Sequence, residues 1–306
     1  MTWLAWRQAR AQALVAVGAT AMVAVVLVAT REHIASTPKE DLSTFYSSLQ
    51  LLGTLLIGVP AAIGAFWGAP LLARELEFGT HRLAWTQGVT RGRWLGTKLV
   101  VLAAAAIVVT ATFAALFTWW SLPLDAHGNR IGTANFGQRG IAPIAYALFA
   151  LSLGALVGAM IRRTLPAMAV TLVGFFVARF TFQWVVRPRL VDTVTVTRPL
   201  TMFGPPDEQA ATAGAWVMSS STVDGAGHVL PSGAADRVLA EACNLTRTSS
   251  ETSYMRCADQ LGLREVVKVH PGNQFWTLQI WESIIFFGLG ACLALGCYWW
   301  VRHRTS

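Results

Sequence analysis

The sequence predicts an all-α integral membrane protein: six transmembrane helices, an N-terminal interfacial helix, and a small extracellular α/β cap between spans five and six. Three observations lead there. Hydrophobic residues make up 54% of the 306 and charged residues only 13%, with mean hydropathy +0.48. A soluble domain carries about 25% charged residues, so the chain is short of charge by nearly half. The charges that remain fall in clusters between long uncharged runs, which excludes a soluble enzyme, a disordered tail and a coiled coil.

A hydrocarbon core about 30 Å thick needs about 20 apolar residues in a helix. Uncharged runs of that order cover Ala11–Thr30, Leu42–Ala73, Leu99–Leu124, Ile141–Ile161 and Ser283–Val301. A sixth, Thr164–Val186, is broken only by Arg179. None shows the two-residue alternation of barrel strands. The first run is longer than the roughly 7–15 residues of a signal-peptide core and no small-x-small cleavage site follows, so it reads as an uncleaved span. Ahead of it, Met1–Arg10 places Trp3 and Trp6 beside Arg7 and Arg10, the pattern of an amphipathic helix lying in the interface.

Basic residues give the direction. With the N-terminus cytoplasmic, the inside segments hold Arg7, Arg10, Arg74, Arg82, Arg91, Arg93, Lys98, Arg162, Arg163, Arg302 and Arg304, against Arg31, Lys39, Arg130 and Arg139 in the short outside loops. Long translocated loops weigh little in this bias. The expectation is a multi-pass protein of the cell membrane with both termini cytoplasmic. The formal charge of +8 then reads as a topology signal and not as a nucleic-acid surface. Trp119, Trp120, Trp184, Trp276 and Trp281 cluster at the expected outer face, and Trp299 and Trp300 at the inner one, the headgroup levels that indole rings favour.

The expected domain order is an interfacial helix at 1–10, spans one to five over 11–186 with a cytoplasmic loop at 73–98, a cap at 187–275, and the sixth span with its tail at 276–306. Within the cap, Val191–Thr197 and Arg264–Val269 favour strands, while Ala234–Cys243 and Ser253–Leu261 favour short amphipathic helices. The stretch from Pro205 to Gly233, rich in Gly, Ser and Ala, reads as loop. Cys243 and Cys257 both lie in this segment, and an oxidising environment favours a disulfide between them over a metal pair. Cys292 and Cys297 sit in the last span as packing residues.

Chemistry-bearing motifs are scarce. There is no GxxxxGK[ST] phosphate loop; the nearest fragment, Gly96-Thr97-Lys98, has the order wrong and leads into a span. HExxH, CxxC and GxSxG are absent and the six histidines are scattered, so neither a metal site nor an enzyme constellation is expected.

The most distinctive stretch runs from Ala73 to Lys98. It holds two carboxylates, Glu75 and Glu77, the only ones on the expected cytoplasmic side, followed by a turn at Gly79-Thr80 and a Leu/Trp-bearing segment that reads as a short interfacial helix. On composition alone it suits equally a positive-inside loop held at the headgroups and a docking surface for a cytoplasmic partner.

Three separated motifs resemble actinobacterial ABC transporter permeases of the type-2 exporter class, in matching order. They are Thr2-Trp-Leu-Ala-Trp-Arg-Gln at the N-terminus; Phe66-Trp-Gly-Ala-Pro-Leu-Leu-Ala-Arg-Glu-Leu-Glu-Phe-Gly-Thr-His-Arg-Leu-Ala-Trp-Thr-Gln at the end of span two; and His270-Pro-Gly-Asn-Gln-Phe-Trp-Thr-Leu-Gln-Ile-Trp-Glu282 entering the last span. The resemblance implies a membrane subunit, without a catalytic domain of its own, that works with a separate ABC ATP-binding subunit and a second copy of the permease. ATP and magnesium would be bound by that partner, and no cofactor by this chain. It also implies that the loop between spans two and three docks on the ATPase, which maps here onto Glu75, Glu77, Gly79, Thr80 and Arg82, with Arg91 and Arg93 as flanking anchors. The long loop between spans five and six departs from the family pattern, in which many members have only short re-entrant helices.

Within the spans, Arg179 is the one clear charge in span five and Glu282 lies at similar depth in span six. An unpaired charge at mid-span costs at least about 2.5–3.5 kcal/mol, so a pair is expected, helped by Gln183 and Gln279, as a structural bridge ahead of a substrate contact. Gly64-x-x-x-Gly68 and Gly154-x-x-x-Gly158 allow close helix packing within or between protomers. Pro60 should kink span two. Two other function classes compete with the exporter subunit, which would move a hydrophobic or amphipathic substrate. A standalone secondary carrier predicts internal repeats, and none is evident. A ligand-sensing membrane protein would use the cap for binding.

Overall fold

The computed structural model describes residues 18, 20–32, 51–79, 90–122, 131–200, 214–231, 233–243 and 250–304. In chain order, helix α1 covers residues 20–32, α2 Leu51–Glu77, α3 Arg91–Ser121, α4 the single turn Thr133–Phe136, α5 Ala142–Ile161 and α6 Thr164–Thr181. Strands β1 (Val194–Pro199) and β2 (Trp216–Val223) follow, then helices α7 (Ala234–Cys243) and α8 (Glu251–Gln260), strand β3 (Arg264–His270) and the long helix α9 (Phe275–Arg304). The chain divides into a helical unit and a second unit that holds the sheet with α7 and α8.

Five helical stretches among the described residues are long and apolar enough to cross a membrane: Leu51–Glu77, Arg91–Ser121, Ala142–Ile161, Thr164–Arg189 and Gly272–Arg304. The first expected span is helical where it is described, over 20–32. The interfacial helix expected at 1–10 lies outside the described residues. Several helices overrun the uncharged runs: α3 starts at Arg91 and not at Leu99, and α9 at Phe275 and not at Ser283. Charge marks where a side chain must reach water. In α3 the backbone stays helical past that point because long basic side chains reach back to the headgroup level; in α9 the charge that ends the uncharged run, Glu282, is instead buried inside the protein.

Small residues set the packing of the helical unit. Helix α5 lies against α2, α3 and α6, and its buried face is lined by Ala147, Ala150, Gly154, Ala155, Gly158 and Ala159. Both glycine pairs serve this contact within one chain. A Cβ built on Gly64 would lie 2.7 Å from Ala150 O, one on Gly68 2.6 Å from Leu151 O, and one on Gly154 2.7 Å from Ala69 N. Only a missing side chain lets the backbones come this close. Helix α2 is irregular on both sides of Pro60, with a turn at Ile57 and a π-helical turn over Ile63–Gly68 that carries the two glycines. The faces turned away from this core carry exposed apolar side chains, among them Val108 on α3, Val173 on α6 and Ile284 on α9. In a bilayer such faces meet lipid tails.

The second unit is a three-stranded antiparallel sheet in the order β1-β3-β2. Central β3 pairs Val267 with Val196 of β1 and with Ser220 of β2, and a bulge in β2 lies between Val217 and Ser219. Strand β2 corrects the sequence expectation of loop between Pro205 and Gly233. Its Ser219-Ser220-Ser221 run has no intrinsic strand signal, yet its register against β3 makes it a strand, and Ser220 hydrogen-bonds Glu265 there. Helices α7 and α8 bury Ala235, Leu239, Tyr254, Cys257 and Ala258 in one cluster with Leu200 and Leu263. A Cys243–Cys257 disulfide joins the two helices.

Candidate functional site

Two polar constellations stand out in the helical unit, one at each end of α6. The first surrounds the end of α2. Phe78 N bonds to Arg74 O at 3.1 Å, and Gly79, at φ +70°, takes the left-handed conformation that closes the helix. In the last turn of α2, Glu75 pairs with Lys98 of α3, whose ammonium also lies 4.6 Å from the centre of the Trp94 ring. Glu77 turns the other way. Its Oε2 accepts from Thr164 N at 2.9 Å and from Thr164 Oγ1 at 2.7 Å, capping α6 at its first residue. The local cap position, Arg163, supplies no side-chain bond, so a carboxylate from another helix satisfies an amide that α6 cannot satisfy itself.

Of the residues expected to form the docking turn, Thr80 and Arg82 lie outside the described residues. Arg91 and Arg93 occupy the first turn of α3, which Thr90 caps by accepting from Arg93 N at 3.4 Å. Both glutamates are thus engaged with neighbouring helices of the same chain. On the same side, the break between α5 and α6 places Arg162 at φ 58° with its Nη2 donating to Arg304 O at 3.0 Å, which ties the break to the end of α9.

The second constellation is buried at the other end of α6. Glu282 of α9 is fully buried. Arg187 grips it with two parallel bonds, Nε to Oε2 at 2.8 Å and Nη2 to Oε1 at 2.8 Å, a bidentate fit of guanidinium to carboxylate. The Tyr146 hydroxyl donates to the same carboxylate. Arg179 Nη1 stands 3.8 Å from Glu282 Oε1, and its guanidinium lies 4.5 Å from the centre of the Tyr146 ring. Arg187 in turn lies 4.4 Å from the Phe136 ring. Arg179 and Glu282 are therefore neighbours, but the strong partner of Glu282 is Arg187.

Sequence reasoning missed Arg187 because a charge beyond an apolar run is taken as the first residue of a loop. The helix in fact continues through a π-helical turn, Phe182–Val186, into a 3-10 turn at Arg187–Arg189. The wider π turn shifts the rotational phase of everything after it, and this brings Arg187 onto the same carboxylate as Arg179. The available signal was the charge balance: one acid in the last span, and Arg179, Arg187 and Arg189 near the end of span five. Tyr146 carried no such signal.

The two glutamines behave differently from the expectation that both would help the pair. Gln279 accepts from Ala142 N at 3.0 Å and donates to Phe136 O at 2.9 Å, so it fastens the end of α4 and the start of α5 to α9. Gln183 is buried with its Oε1 unpartnered in the chain. No group of three or more His, Cys, Asp or Glu able to hold a metal occurs among the described residues.

A family model described as ABC-2 membrane transporter related matches residues 1–187. No curated protein and no solved structure matches the chain. The matched region ends at Arg187 and so contains Glu75, Glu77, Tyr146 and both arginines of the buried cluster, with Glu282 beyond it.

Proposed function

The chain belongs to the ABC-2 membrane transporter related family, and from that premise we propose that it is the membrane half of an ATP-driven exporter. Membership makes it a permease component of a membrane transporter and not itself a catalyst. The proposal adds that a separate ABC ATP-binding subunit binds ATP and magnesium, that two copies of this chain form the path, and that the cargo is hydrophobic or amphipathic. Both termini would face the cytoplasm.

In this reading the segment 74–93 receives the movement of the ATPase. Glu75, Glu77, Gly79, Thr80 and Arg82 form the docking turn, and Arg91 and Arg93 anchor its far side. The observation that carries the reading is the paired attachment of the turn. Glu75 holds the start of α3 through Lys98 and Glu77 holds the start of α6 through Thr164, so a displacement of the turn is passed to two further helices through directional contacts. The deciding experiment is co-expression with an ATP-binding protein encoded beside this chain. Co-purification with stimulated ATP hydrolysis is the expected result; two proteins that neither associate nor alter hydrolysis would overturn the proposal.

A further inference from the structure

The cluster around Glu282 carries more positive than negative charge. Two fully buried guanidiniums, Arg179 and Arg187, face one carboxylate, which leaves a formal +1 in a low-dielectric interior. Arg187 consumes most of the carboxylate's hydrogen-bonding capacity, with the Tyr146 hydroxyl taking more. Arg179 receives the remainder: one contact at 3.8 Å, with neither Nη1 nor Nη2 hydrogen-bonded within the chain. Gln183 Oε1, four residues from each arginine, and Ser283 Oγ, adjacent to Glu282 in sequence, are likewise buried without a bond from the protein. Buried polar atoms in folded proteins are nearly all satisfied, by protein, water or ligand. Water could meet the hydrogen-bonding demand of such a group. It does not neutralise an excess charge, and a buried charge is paired wherever it persists.

A small void lies near this cluster, about 10 Å³, room for roughly one water; Leu56, Pro60, Phe113 and Pro143 line it, with Thr110 and Gln138 as its polar groups. The preceding residue, Gly137, packs directly on the Arg179 guanidinium. One short turn therefore separates the weakly paired Arg179 guanidinium from this void within the same helical unit.

We propose that this cluster binds an oxyanion, free or as the head of a lipid, with Arg179 as the group that pairs with its oxygen. The site needs no ATPase partner, so its failure would leave the transport reading untouched.

The test uses the full-length protein purified in an uncharged detergent, with thermal unfolding followed by the fluorescence of its thirteen tryptophans. Phosphatidylglycerol is compared with phosphatidylcholine, and sodium phosphate with sodium chloride at equal ionic strength. An anionic ligand near ten times its dissociation constant should raise the midpoint by about 2–4 °C. A rise with phosphatidylglycerol alone identifies a lipid-like headgroup, and a rise with phosphate as well identifies a site for the free oxyanion. In both cases Arg179→Gln should remove the response. Gln183→Glu guards against misfolding of that variant. It adds a buried carboxylate four residues from each arginine, so it should raise the midpoint without ligand and abolish the anion effect. No shift in the wild type with any anion, or an undiminished shift in both variants, would overturn the proposal.

Discussion

Glu77 and Thr164, 87 residues apart, make a helix cap between two different helices: one carboxylate oxygen accepts from both the amide and the hydroxyl of Thr164. Caps are usually supplied from within the capped segment. Here the end of α2 and the beginning of α6 are joined at the turn that the proposed function assigns to ATPase docking.

Replacing Glu77 with Ala should lower the unfolding midpoint of the protein slightly, since the capped amide is open to solvent. Thr164→Ala should do the same. Because both delete one interaction, the double variant should lose less than the sum of the two. A thermal-unfolding cycle on the four proteins checks this, and strict additivity would show that the cap contributes nothing.

Charge reversal at the turn tests the functional reading. Glu75→Arg with Glu77→Arg removes the pair with Lys98 and the cap on α6 and places two like charges beside existing cations. Stimulation of the partner ATPase and transport should both be lost, while the amount of protein in the membrane fraction stays the same. Full transport in this variant would remove the coupling assignment.

Glu282→Gln leaves two buried arginines without their carboxylate. Breaking one side of a buried pair costs about 3–5 kcal/mol, so this variant should unfold well below the wild type in detergent. Tyr146→Phe removes one hydrogen bond to the same charged group, a loss of about 1.5–3 kcal/mol. The order of the two midpoints is the measurement; Tyr146→Phe falling below Glu282→Gln would mean that the hydroxyl holds the cluster together more than the carboxylate's charge does.

Close backbone approach makes a further demand. Gly154→Val would drive a side chain into Ala69 N and Gly68 of α2, and overpacking of this kind costs about 1–3 kcal/mol. Gly288→Ala in α9, where nothing lies within 4 Å of the added carbon, should be neutral or mildly stabilising. Parallel thermal scans of the two variants compare the effects directly.

The disulfide gives the last prediction. Alkylation should label neither Cys243 nor Cys257 until a reductant is added, as read by peptide mass. Closing a loop of this size contributes about 3 kcal/mol, so Cys243→Ser with Cys257→Ser should make the 250–270 region more sensitive to protease. Labelling of both thiols without reduction would contradict the bond.

Hydropathy in the sequence was enough to establish a membrane protein, to locate its helices to within several residues, and to single out the small-residue pairs Gly64/Gly68 and Gly154/Gly158. These are local properties, set by the sum of side-chain transfer energies along about 20 consecutive residues or by a repeat of four on one helix face. The cysteine pair was legible because only two of the four cysteines fall in the polar segment. Strand β2 was not, since the Ser219–Ser221 run at its centre becomes strand only by pairing with β3. Nor could the sequence say which arginine would hold Glu282. That depends on the rotational phase at which two helices face each other, and a π-helical turn at Phe182–Val186 resets it in a way that no count of charges records. The destinations of Glu75 and Glu77 were equally hidden: only the packing of α2 against its neighbours brings Lys98 and Thr164 within reach of the two carboxylates that the charge pattern had set apart.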